Sequence, residues 1–155
     1  MKLYFLRHGL ANWEQWNRPD DERPLTKKGR KEVETVAEAL GELKVRPDVI
    51  VTSPLPRASE TARIVADELE VECVTAPQLA PGFDIHGLRQ ILNEHAEQDV
   101  MLVGHEPDFG HVIAALTGGT VRMAKAGLAR VDMENAAELR GELVWLVPPK
   151  VMKEI

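Results

Sequence analysis

Apolar residues along the chain follow two different rhythms. Leu3-Tyr4-Phe5-Leu6, within a strand expected over residues 2–6, Val49-Ile50-Val51 and Val100-Met101-Leu102-Val103 are short unbroken runs. Such runs suit strands covered on both faces. After a polar loop from Ala11 to Pro24, Leu25-Thr26-Lys27-Lys28-Gly29 opens a helix with Thr26 as N-cap. Val33, Val36, Ala37, Leu40 and Leu43 then recur at helical spacing with Lys31, Glu34 and Glu38 outside, and Gly41 and Pro47 mark the exit. Pro56 fits the first turn of a helix running to about Leu69, with Ala58, Ala62, Val65 and Leu69 inward. Val71 to Thr75 reads as a short strand. A Pro- and Gly-containing loop, Ala76 to His86, precedes a short helix carrying Leu88, Ile91 and Leu92. Pro107 begins a further helix with Val112, Ile113 and Leu116, closed by Gly118-Gly119. Segments near Gly127–Met133 and Glu142–Val147 resemble a hairpin joined by a polar turn. The order of elements predicts one α/β domain over residues 1–155, a three-layer α/β/α arrangement around a central, mostly parallel sheet.

Composition narrows the classes. At 155 residues and 44% apolar content, the chain can bury one core and is short for two. A net charge of −6 argues against nucleic acid or an anionic membrane as partner, so any anionic substrate must be drawn in by a local cation cluster. One cysteine, Cys73, allows no internal disulfide and is expected as a small core residue. No spacing suggests a metal site, no run reaches membrane-spanning length, and no signal peptide is read at the N-terminus. A cytoplasmic monomer without cofactor is the expectation.

Chemistry concentrates where strands end. Arg7-His8-Gly9 follows the first run, Ser53-Pro54-Leu55-Pro56-Arg57-Ala58 the second, and Gly104-His105-Glu106 the third. Ligands of open α/β sheets gather beyond the carboxyl ends of the strands, so Arg7, His8, Arg57 and His105 are expected to converge. Guanidiniums are planar, permanent cations matched to phosphoryl oxygens. A neutral imidazole can attack phosphorus without a base, its other nitrogen donating to a carbonyl that fixes the tautomer. Backbone N–H groups after His105 offer a weaker anion site. Arg23 is expected at the pocket rim or in a surface ion pair, the acidic run Asp20-Asp21-Glu22 in solvent, and Trp13 and Trp16 as substrate rim or loop anchor.

These pieces resemble the histidine phosphatase superfamily, and within it the small SixA-type phosphohistidine phosphatases. The matching residues are Arg7-His8-Gly9 with Ala11, Arg23-Pro24-Leu25-Thr26 with Gly29, Ser53-Pro54 with Arg57-Ala58 and Thr61-Ala62, and Gly104-His105-Glu106-Pro107. The resemblance covers nearly the whole chain. It implies a phosphoglycerate mutase-like fold and a metal-independent phosphatase whose His8 is phosphorylated in turnover. Arg7, Arg57 and His105 complete the catalytic, substrate-binding pocket, with Glu106 as a further substrate contact.

Two departures narrow the substrate. Larger relatives acting on sugar phosphates or as mutases carry a glutamate in a Leu-x-Glu segment after the third strand. Here Leu79-Ala80-Pro81-Gly82 offers no carboxylate before Asp84, and Trp13 is followed by Glu14 where the mutases have an asparagine soon after. An alcohol leaving group benefits from a general acid; a phosphorylated imidazole needs one less. The expected substrate is therefore phosphohistidine on a partner, as in a phosphorelay or phosphotransfer protein. A small-molecule phosphomonoesterase using Asp84 or Glu106 as proton donor, and a non-catalytic phosphoprotein-binding module, are the alternatives.

Overall fold

The computed structural model describes all residues, 1–155. Its strands are β1 (Lys2–Arg7), β2 (Val49–Thr52), β3 (Glu72–Thr75), β4 (Val100–Gly104), β5 (Leu128–Asn135) and β6 (Arg140–Val147). Its helices are α1 (Lys27–Glu42), α2 (Pro56–Leu69), α3 (Ile85–Glu94), α4 (Asp108–Thr117) and α5 (Pro149–Met152). The sheet order is β3-β2-β4-β1-β5-β6. β3, β2, β4 and β1 pair in parallel, and β5 runs antiparallel to both its neighbours.

Alternation along the central strands sends successive side chains to opposite faces. Leu3, Phe5, Val49, Val51, Val100 and Leu102 pack with Leu88, Ile91, Phe109, Val112 and Ile113 of α3 and α4. Tyr4, Leu6, Ile50, Met101 and Val103 pack with Val33, Leu40, Ala58, Ala62 and Val65 of α1 and α2, where α5 adds Met152. Both faces are thus apolar, which explains the unbroken runs in the sequence. The expected three-layer α/β/α architecture is what the chain adopts.

Local signals place the ends. Thr26 accepts the Gly29 N–H at 3.0 Å and caps α1. Pro56 opens α2, and Gly118 closes α4 at φ 80°. Gly29 lets α1 lie against the loop after β1: a Cβ there would stand 2.2 Å from the Leu10 carbonyl oxygen. Four expectations shift. α3 begins at Ile85 with Asp84 as its cap, inside the expected loop. Asp20–Glu22 forms a 3-10 turn, and α5 was not foreseen. Cys73 lies on edge strand β3, half-buried and packed against the rim of the core rather than inside it.

Candidate active site

The sheet order brings β1, β4 and β2 side by side, and their carboxyl ends are level. Arg7 is in register with Gly104, while Val103 is in register with both Leu6 and Thr52. The ladder continues one residue further on each side. The His8 N–H donates to the Gly104 carbonyl at 3.0 Å, and the Ser53 N–H donates to that of Val103 at 2.9 Å. His8, His105 and Ser53 therefore leave adjacent strands at one height. The His8 and His105 ring centroids are 5.3 Å apart, close enough for one phosphoryl group to touch both.

Arg7 and Arg57 are held from outside this row. Arg7 Nη1 donates to the Met123 carbonyl at 2.8 Å, in the stretch between α4 and β5. Arg57 stands in the first turn of α2 and is buried. Thr61, fully buried one turn on, donates to the Arg57 carbonyl at 2.7 Å and accepts the Gly9 N–H at 3.1 Å. One hydroxyl thus ties the loop carrying His8 to the helix carrying Arg57. Gly9 itself must be small, since a Cβ would meet Val33 Cγ2 at 2.6 Å.

The electrostatics follow from this packing. His8 Nδ1 lies 2.7 Å from the Gly9 carbonyl, which makes that nitrogen the N–H donor and leaves a lone pair on Nε2. Burial pushes the His8 pKa down to about 3, and the nearby charges of His105, Arg57 and Arg7 press the same way. The ring is neutral at pH 7. His105 is lowered to about 4, again first by burial and then by Arg57. Three buried side-chain nitrogens in the whole molecule lack a hydrogen-bond partner: Arg7 Nε, Arg57 Nε and His105 Nδ1. All three belong to the residues that surround His8. Such atoms are expensive to leave unpaired, and one oxyanion can satisfy several.

The carboxylates behave differently. Glu106, two residues ahead of α4, reaches forward into its first turn and accepts the Gly110 N–H at 2.6 Å. It thereby takes the helix start that the sequence suggested as an anion site. Asp84 accepts the His86 and Gly87 N–H groups, both at 3.0 Å, as the cap of α3. Asp108 accepts the Gly82 N–H at 2.8 Å, and Glu14 is exposed on its loop. The acidic turn is more than solvated loop. The Asp20 carbonyl accepts from Arg57 Nη1 at 3.3 Å, and its carboxylate lies 3.8 Å from Arg57 Nη2. Arg23 links this turn to the Ala11 carbonyl and pairs with Asp20 at 2.8 Å. Trp13 and Trp16 spend their indole N–H groups on Pro24 and Pro19 and lie 5.9 Å apart, so they anchor the loop.

A family model, histidine phosphatase superfamily (branch 1), matches residues 3–80, just over half the chain. The chain belongs to that superfamily. Two relatives align over nearly its full length. An uncharacterized protein of Picosynechococcus sp. is 35% identical, covering 97% of this chain and 98% of its own. Phosphohistidine phosphatase SixA of Escherichia coli is 27% identical, covering 99% and 97%. The solved structure of the protein histidine phosphatase SixA complexed with tungstate superposes with a TM-score of 0.85 at 28% identity, covering 98% of this chain and 99% of that one. This phosphoglycerate mutase-like fold and the SixA similarity support phosphatase activity. No helix of this histidine phosphatase superfamily member is long and apolar enough to cross a membrane.

The structure brings together the four residues expected to converge, His8, Arg7, Arg57 and His105. Ser53 and Thr61 stand within the matching motifs, but nothing in the sequence pattern assigns them a partner. The Met123 carbonyl left no trace in the sequence, because any residue carries one.

Proposed function

We propose that the protein is a phosphohistidine phosphatase acting on a partner protein by a covalent route. The single observation that carries this reading is the set of three unpaired nitrogens, on Arg7, Arg57 and His105, around a neutral His8. His8 Nε2 attacks the phosphorus of a phosphohistidine and forms a P–N bond. The bond to the substrate imidazole breaks, and that ring leaves with the electron pair and takes a proton from solvent. Water then attacks phospho-His8, releasing orthophosphate and restoring the lone pair on Nε2. Arg7, Arg57 and the His105 N–H hold the equatorial oxygens, where the transferring group carries its charge. No step calls on a metal.

The choice of leaving group rests on the carboxylates. Glu106, Asp84 and Asp108 are each bonded to backbone N–H groups, which suits a substrate needing no general acid. The similarity to SixA favours a phosphorelay or phosphotransfer protein as the partner. The test compares a phosphohistidine protein, phosphoramidate and alkyl phosphates as substrates, with His8→Ala as control. Faster turnover of the P–N compounds and acid-labile phosphate trapped on His8 are expected. Preferred hydrolysis of alkyl phosphates would instead identify a small-molecule phosphomonoesterase.

A further inference from the structure

Ser53 touches no part of the substrate in this scheme, yet it is fully buried beside the pocket. Its backbone is locked to β4 through the Val103 carbonyl, so its side chain has a fixed origin. Ser53 Oγ accepts the Leu55 N–H at 3.2 Å and lies 2.8 Å from His105 Nε2. A hydroxyl has one hydrogen to give and two lone pairs. Leu55 takes one lone pair, and the only acceptor within reach of the hydroxyl hydrogen is His105 Nε2.

We propose that Ser53 is a positioning residue that holds His105 as its Nδ1–H tautomer, so that the ring presents a donor to the phosphoryl group. The reverse assignment has two faults. Nε2–H would donate to Ser53, leaving the buried serine hydrogen with no acceptor. Nδ1 would then turn a lone pair toward a group rich in negative charge. With Nε2 accepting from Ser53, the single proton of a neutral ring must sit on Nδ1, the nitrogen that no protein atom engages. The depressed His105 pKa, about 4, agrees with a neutral ring at pH 7. Ser53 thus does for the binding histidine what the Gly9 carbonyl does for the attacking one. The two are wired with opposite ends outward: His8 shows Nε2 as a lone pair, His105 shows Nδ1 as a donor.

The inference rests on the pocket being a phosphoryl site, whichever phosphate compound enters. Long-range proton–nitrogen correlation spectra of the full chain, labelled with nitrogen-15 at pH 7.5, read the tautomer directly. His105 is assigned by its loss in His105→Gln. The expected result is a protonated Nδ1 and a bare Nε2, with inorganic phosphate shifting the Nδ1 signal. In Ser53→Ala the His105 signals should move toward the Nε2–H form. Turnover of phosphoramidate should fall about tenfold in kcat, with KM within about twofold, the order expected for one lost positioning hydrogen bond. Ser53→Thr, which keeps the hydroxyl, should restore both signatures. An Nε2–H tautomer in the unaltered protein would overturn the proposal without any variant needing to fold. So would a Ser53→Ala protein with lowered turnover and unchanged tautomer. Because the spectra need no turnover, failure to hydrolyse any phosphate would sink the phosphatase reading while leaving this one to be decided on its own.

Discussion

Replacing His8 with asparagine should make the fold less sensitive to acid, by an amount the structure fixes. The folded ring has a pKa of about 3 because burial and three neighbouring cationic or imidazole groups oppose its protonation. In the unfolded chain it titrates near 6.5. Between these values the unfolded state binds a proton that the folded state refuses, so stability rises with pH across this window. It is complete above about 6.5 and falls as the solution is taken toward 3. At pH 5 nearly every unfolded ring is charged and the folded one is not. The unfolded state is then favoured by roughly 1.5 pH units of proton binding, about 2 kcal/mol. That figure hardly depends on the depressed value, since any folded pKa below about 4 gives the same result. His105 acts in the same direction and is common to both proteins. Urea unfolding followed by tryptophan fluorescence at pH 7.5 and pH 5.0 gives the difference, in which the carboxylates cancel. The unaltered protein should lose about 2 kcal/mol more than His8→Asn between the two pH values. Equal losses would mean that His8 is not kept neutral by its surroundings, and the ready-made nucleophile would go with it.

Other substitutions separate the parts of the site. Arg57→Ala should lower kcat/KM by about 3 kcal/mol of transition-state stabilisation, roughly a hundredfold, read in steady-state kinetics with phosphoramidate. Asp20→Ala removes a carboxylate competing for Arg57 and should tighten orthophosphate binding about two- to fivefold by titration, the range of a surface ion pair. Asp84→Ala should leave kcat unchanged and reduce stability by about 1 kcal/mol through loss of the α3 cap, seen as a lower melting temperature. Gly29→Ala forces a methyl group against the Leu10 carbonyl and should destabilise by about 3 kcal/mol, or about 6–12 °C in Tm.

Much of this architecture was readable because apolar runs and helical spacing recur with clear stops. Thr26, Pro56 and Gly118 each end or begin an element where the sequence suggests. The four-residue α5, opening on Pro149, is too short to show a period. The turn at Asp20–Glu22 closes on i→i+3 bonds and has no apolar face to betray it. Within the site, the cationic and imidazole residues were legible because their side chains carry the chemistry. Glu106 was not, because its adjacency to His105 says nothing about direction, and the turn leading into α4 sends its carboxylate toward Gly110. Ser53 gains its role from strand register and Thr61 from the packing of α2 against the loop after β1, each meeting a partner 52 positions away.

The strand order has a consequence for how the molecule is made. β4 lies between β1 and β2, yet it is synthesised after both. A growing chain that has reached β3 already contains Arg7, His8 and Arg57, but β1 and β2 share no ladder with each other. Only when residues 100–105 arrive and thread between them can the constellation assemble. Emergence of His8 and Arg57 from the ribosome and assembly of the proposed phosphoryl site are thus separated by at least one further helix and strand.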